Sequence, residues 1–177
     1  MKRKFLISPL FLVSAACTST AQTPAFPVPD TLKPAATESA LATVAARGVQ
    51  IYECRAKKDD ARSTEWAFVA PEADLFDAQG RPVGKHYAGP KWESADGSKV
   101  AGTVKARADA PRAGAIPWLL LTTRSEGPDG AFAKATSIQR INTVGGVAPA
   151  ADDCTAASLA TSARVAYTAD YVMFGSR

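Results

Sequence analysis

The sequence predicts an all-β domain, a single antiparallel sandwich or barrel of about seven to nine strands. Three observations predict it. Apolar and polar side chains alternate with a period of two across most of residues 49–174. Turn signals interrupt that alternation every 8–15 residues. No convincing long stretch carries the 3.6-residue period of a helix.

The elements follow in order. Gln22 to Pro34 holds Pro24, Pro27, Pro29 and Pro34, so residues 22–40 read as an extended proline-rich tether outside the core, and residues 41–177 as the domain. Ala36 to Ala46 suits a short helix stopped at Gly48 or an extended lead-in, and we favour the extended form. Val49 to Arg55 alternates cleanly, with Tyr52 and Cys54 on one face. Glu65 to Ala70 sets Trp66 and Phe68 against Val69, and Leu75-Phe76 runs into a turn at Asp77-Ala78-Gln79-Gly80.

Val83 to Val100 reads as two short strands about Gly89-Pro90, with a second turn at Asp96-Gly97. Alternation puts Gly84, His86 and Ala88 on one face and Val83, Lys85 and Tyr87 on the other. Val100 to Ala106 is a thin strand of small residues. Ile116 to Leu121 is the most apolar run and is expected as a central core strand, with Pro117 at its start. Ala133 to Thr143 sets Ser137, Gln139, Ile141 and Thr143 against Thr136, Ile138, Arg140 and Asn142. The last strand, Arg164 to Phe174, places Val165, Tyr167, Ala169, Tyr171 and Met173 together.

Ahead of the domain, Met1-Lys2-Arg3-Lys4 and the apolar run Phe5 to Ala16 have the form of a secretory signal, too short to span a membrane; we place it at residues 1–21. Val13-Ser14-Ala15-Ala16-Cys17 resembles the lipobox of bacterial lipoproteins, in which the cysteine is acylated. Ser14 departs from the leucine preferred there, and cleavage after Ala21 is the rival. The expected location is therefore exported: a periplasmic or outer-membrane lipoprotein, or a secreted protein, touching a membrane only through Cys17.

Lys2, Arg3 and Lys4 account for three of the 21 basic residues, which leaves 18 against 17 acidic ones. The mature chain is near neutral and carries no basic stripe, so no nucleic-acid partner is expected. With Cys17 set aside, Cys54 and Cys154 read as a disulfide in an oxidising compartment, or else as two buried thiols.

Gly48-Val49-Gln50-Ile51-Tyr52-Glu53-Cys54, His86-Tyr87-Ala88-Gly89-Pro90-Lys91-Trp92-Glu93 with Asp96-Gly97-Ser98, Ile116-Pro117-Trp118-Leu119-Leu120, Ile138-Gln139-Arg140 with Gly145-Gly146 and Pro149 ahead of Cys154, and Tyr167-Thr168-Ala169-Asp170-Tyr171 resemble a secreted family of bacteria and fungi, domain of unknown function 3455. The resemblance covers most of residues 40–175. It implies an exported all-β domain and supports pairing Cys54 with Cys154. It carries no reaction, ligand or catalytic residue.

The residues name no chemistry outright. One histidine and a cysteine pair leave only carboxylates for a metal, so a zinc or copper site of the nitrogen/sulfur type is excluded, Asp96, Asp152 and Asp153 lack a calcium-loop spacing, and no cofactor is expected. His86, with Asp170 to orient it, is the candidate general base of a hydrolase, but no Gly-x-Ser-x-Gly nucleophile elbow occurs. Glu53, Glu93, Asp96 and Asp170 are the carboxylates available for glycoside hydrolysis. Tyr87, Trp92 and Trp118 are candidates for a ligand platform, Trp92 being the one expected at the surface.

The reading that follows is a non-enzymatic binding or interaction module for a small molecule, glycan or envelope protein. A hydrolase using His86 and nearby carboxylates is the alternative, and a structural envelope protein without a small ligand the third. A ligand site, if present, is expected around His86 with Trp92, Glu93 and Asp170, because small neighbours on the His86 face leave a hollow.

Overall fold

The computed structural model describes residues 26–177. The export signal and Cys17 lie outside the described residues. Eight antiparallel strands follow one another in sequence order and close into a barrel: β1 (Glu38–Ala56), β2 (Thr64–Phe76), β3 (Pro82–Tyr87), β4 (Lys91–Ser94), β5 (Lys99–Ala108), β6 (Trp118–Ser125), β7 (Ser137–Gly145) and β8 (Ser162–Ser176). Closure is made by the longest ladder, in which β8 pairs with β1 from Glu38 opposite Ser176 to Glu53 opposite Ser162. A closed barrel leaves no strand edge exposed, so every strand can be short or bulged without inviting edge pairing. The only helical elements among the described residues are single 3-10 turns, at Asp30–Leu32, Ala151–Asp153 and Ala156–Ser158.

The ambiguous stretch before Val49 is strand, the first half of β1. Val44 and Ala46 face the lumen and are buried in its packed core. Alternation then carries Gln50, Tyr52 and Cys54 inward along the same strand.

The two ends of the barrel differ. At the end where β1 begins, Leu75, Val100, Phe132, Ala135, Ile138 and Met173 fill the lumen as a packed core. Asp96 latches that plug. Its carboxylate accepts the Ala131 N–H at 2.8 Å and the Ser98 hydroxyl at 2.6 Å, and Ser98 Oγ in turn accepts the Phe132 N–H at 3.0 Å. Those donors, first among them the Ser98 hydroxyl, hold the Asp96 carboxyl well below the usual carboxylate range.

The proline-rich segment is not the free tether expected. Leu32 is fully buried against the outside of the barrel, beside Trp118, Leu120 and Ile141. The Gln139 amide donates to the Leu32 carbonyl at 2.7 Å, which fixes the register of the docking. This also explains why Ile116 to Leu121 is so apolar. Leu119 and Leu121 face the lumen while Trp118 and Leu120 face the docked segment, so β6 is covered on both sides.

Cys54 and Cys154 form a disulfide, with Cα atoms 5.4 Å apart across a separation of 100 residues. It joins the far end of β1 to the long loop between β7 and β8. That loop is also held by the Trp66 indole N–H, which donates to the Ala150 carbonyl at 3.2 Å, and by the Thr64 hydroxyl on the Cys154 carbonyl.

Candidate functional site

The end of the barrel opposite the plug is open and hollow. A cavity of about 580 Å³ enters the lumen between the β3–β4 turn at Gly89-Pro90, the approach to β6 and the start of the β7–β8 loop. Its walls are mostly apolar, with Leu119 and Leu121 from β6, Ile116, and Phe68 and Val69 from β2. Size and lining are those of a small-molecule site, and an eight-stranded barrel is just wide enough to hold one such ligand.

His86 and Trp92 are brought together as register pairs on β3 and β4, and both point inward. Their rings stack at 4.2 Å with 14° between planes, and Tyr171 of β8 meets both edge-on at 5.1 and 5.3 Å. Trp92 is 1 % exposed, so it lines the cavity and is not a surface platform. Gly102 of β5 makes that possible. A Cβ there would lie 2.8 Å from Cζ3 of Trp92 and 3.1 Å from a Leu121 methyl, so any larger residue collides with the indole. The hollow beside His86 is likewise not the work of Gly84. A Cβ at Gly84 would sit 2.2 Å from the Glu93 carbonyl oxygen, so that glycine lets β3 and β4 approach instead.

His86 Nδ1 lies 2.9 Å from the Lys91 carbonyl oxygen. A carbonyl only accepts, so Nδ1 carries the hydrogen and Nε2 is the bare acceptor nitrogen. Burial pushes the imidazole down from 6.5 to about 3, the Lys91 carbonyl opposing and the Arg140 charge adding to the shift. A base that weak is poorly matched to proton abstraction near neutral pH.

Glu93 and Asp170 do not join it. Glu93 follows Trp92 on β4 and so faces outward, where the Tyr87 hydroxyl donates to it; that hydrogen bond is the main reason Tyr87 is pushed up to about 12. Asp170 precedes Tyr171 on β8 and faces outward too, accepting the Asn142 amide at 2.8 Å. No Asp or Glu among the described residues lines the cavity. Among the described residues no three His, Cys, Asp or Glu side chains converge as a metal site would need. The pairing of the His86 imidazole with Glu93 or Asp170 is therefore not assembled.

What sequence reasoning missed is Arg140. On β7 it stands in register between Leu119 of β6 and Tyr171 of β8, facing the lumen. Its Nε and Nη2 donate to the Pro117 carbonyl at 3.0 and 2.8 Å. Gln50, 3 % exposed, lines the same space. The signal for both was present: a guanidinium two residues after Ile138, and an amide two residues before Tyr52, on otherwise apolar strand faces.

The mouth is apolar and exposed. Phe68, Val69, Val104 and Val147 are 53, 55, 52 and 42 % exposed, and all four line the opening. A bulge between Val104 and Ala106 brings Arg107 to the same face as Val104, beside the rim. Gly146 lets the chain turn across the opening at φ +82°. A Cβ there would meet Tyr167, Gln50 and Ile116 at 2.8–3.1 Å, and the Tyr52 hydroxyl fastens the turn by donating to the Gly146 carbonyl at 2.6 Å.

A family model described as "Protein of unknown function (DUF3455)" matches residues 34–175, from the docked segment to the end of β8. No curated protein matches the chain, and no solved structure does.

Proposed function

Since the chain belongs to the DUF3455 family of proteins of unknown function, for which no reaction is given, we propose from its geometry that the protein binds a small, largely apolar molecule inside the open half of the barrel. One observation carries this reading: a cavity of about 580 Å³ with apolar walls, open to solvent through an apolar rim, in a barrel whose other half is fully packed. Interiors are normally filled to crystal-like density, so a hollow of this size at one end only is a feature of the site. The exposed rim adds to it, because apolar groups clustered around an opening mark a ligand or partner contact.

The reading extends to location. The basic and apolar run at residues 1–21 supports export, and a disulfide persists in an oxidising compartment. A binding module of the cell envelope or extracellular space fits both.

The test is a fluorescence titration with N-phenyl-1-naphthylamine, a neutral apolar probe. Saturable one-to-one binding with a micromolar Kd is expected. Leu121→Trp, which fills the cavity from the β6 wall, is expected to weaken it at least about tenfold. No saturable binding, or equal binding by the variant, would remove the lumen as the site.

A further inference from the structure

The lumen reading, on which this inference rests, says nothing by itself about the head group of the ligand. The polar groups at the depth of the cavity do.

Arg140 is a permanent cation turned into an apolar cavity. No carboxylate pairs with it among the described residues, whose ion pairs all lie elsewhere, and none lines the space. The bonds to the Pro117 carbonyl use Nε and one hydrogen of Nη2, and the Tyr171 hydroxyl lies against the same group. That leaves part of the five N–H donors of the guanidinium for a ligand. Arg140 is half-buried among apolar walls, and a ligand of opposite charge that displaces the cavity water would pair with it. Two further residues of the lining carry buried N–H groups: Trp92, whose Nε1 has no hydrogen-bond partner, and Gln50, whose side chain lies beside the Tyr167 hydroxyl.

At its depth the cavity therefore offers one cation, Arg140, with Arg107 a second at the rim. Against them stands a single free nitrogen acceptor, His86 Nε2, left by the Lys91 contact. A neutral hydroxyl or ester head would leave the charge unmatched. A carboxylate answers it, since its two oxygens take the fork of a guanidinium. The apolar body would then lie along Leu119, Leu121 and the Trp92–His86 stack, with its end passing Phe68, Val69 and Val104 at the mouth.

The geometry points to an amphipathic carboxylic acid as the ligand class, bound head-first with its carboxylate on the Arg140 guanidinium and its hydrocarbon tail directed to the apolar rim.

The test is displacement of N-phenyl-1-naphthylamine by decanoate and by 1-decanol, which share the chain and differ in the head, for the wild-type protein, Arg140→Met and Arg107→Met. The wild type is expected to prefer decanoate by at least about tenfold. In Arg140→Met that ratio is expected to fall to about one. A wild-type ratio near one overturns the carboxylate assignment while leaving the lumen reading intact, as does decanoate failing to displace a probe that binds. A preference lost in Arg107→Met and kept in Arg140→Met moves the head to the rim and equally overturns it. If the probe itself fails to bind, the lumen reading falls and this inference with it. Should Arg140→Met not fold, the wild-type ratio alone decides, and Arg140→Lys, which keeps the charge, is expected to retain at least part of the preference.

Discussion

Replacing both Cys54 and Cys154 by alanine is expected to lower the unfolding free energy by about 4–5 kcal/mol, because the bridge closes a loop with a sequence separation of 100 residues. For a domain of this size that is a fall of roughly 10–15 °C in Tm. The effect comes chiefly from the unfolded chain. The Cys54 N–H still donates to the Thr161 carbonyl at 3.0 Å, and the Ala160 N–H to the Cys54 carbonyl at 2.8 Å, so the loop has backbone bonds that keep its place without the bridge. Urea unfolding of the two forms measures the difference, and a loss below about 1 kcal/mol would show that the bridge is not what stabilises the barrel. Thiol titration of unreduced, denatured protein recovered from the cell envelope is expected to find neither cysteine reactive. Two reactive thiols would count against both the pairing and the oxidising compartment proposed.

Acidification is expected to weaken the fold through His86. The imidazole titrates at about 3 in the native barrel against 6.5 when free. Between those values the unfolded chain holds a proton that the native one refuses. Stability therefore rises with pH across this window; the contribution is complete above about 6.5 and is lost as pH falls, by about 1.4 kcal/mol per unit. Going from pH 6.5 to 4.5 is expected to cost about 2 kcal/mol. His86 is the only histidine, and the depressed carboxylates titrate below their ordinary values of 3.8–4.5, so the window belongs mainly to one residue. His86→Phe keeps a ring against Trp92 and cannot be protonated; its stability is expected to fall much less than that of the wild type from pH 6.5 to 4.5 in urea unfolding. A variant with the wild-type slope would mean that some other group titrates there.

The sequence revealed the strands more readily than their closure. Tyr167, Ala169, Tyr171 and Met173 alternate cleanly and face inward, as do His86 and Trp92 about the Gly89-Pro90 turn. Whether those strands stack as two sheets or close as a barrel depends on the pairing of β8 with β1, a contact between opposite ends of the domain that no local pattern encodes. Bulges were equally hidden. The one between Val104 and Ala106 turns Arg107 to the lumen side, and a strict period of two misses it.

The site residues divide by the same logic. His86 was legible because it faces inward from a short strand beside a marked turn, whereas Trp92, expected at the surface, is register-paired with it and stacks on it inside. Asp170 was read as the carboxylate that orients His86, yet its neighbour Tyr171 takes the lumen and the carboxylate is satisfied outside by Asn142. Arg140 was read only as one residue of an alternating strand. Register puts it opposite Tyr171, and the pairing with Asp170 goes to Ile141. Leu32 shows a different limit, since prolines on either side mark an extended chain but do not say that it docks.

The most direct test of lumen binding is a ¹H–¹⁵N correlation spectrum of the indole N–H groups during titration with decanoate. The chain has three tryptophans. Trp92 lies against the cavity with a partnerless N–H, Trp118 lies outside under the docked segment, and Trp66 donates to the Ala150 carbonyl. Ligand in the lumen is expected to shift the Trp92 signal by far the most and to leave Trp118 where it is. Saturable binding with an unmoved Trp92 signal, or with Trp118 moving most, would contradict it.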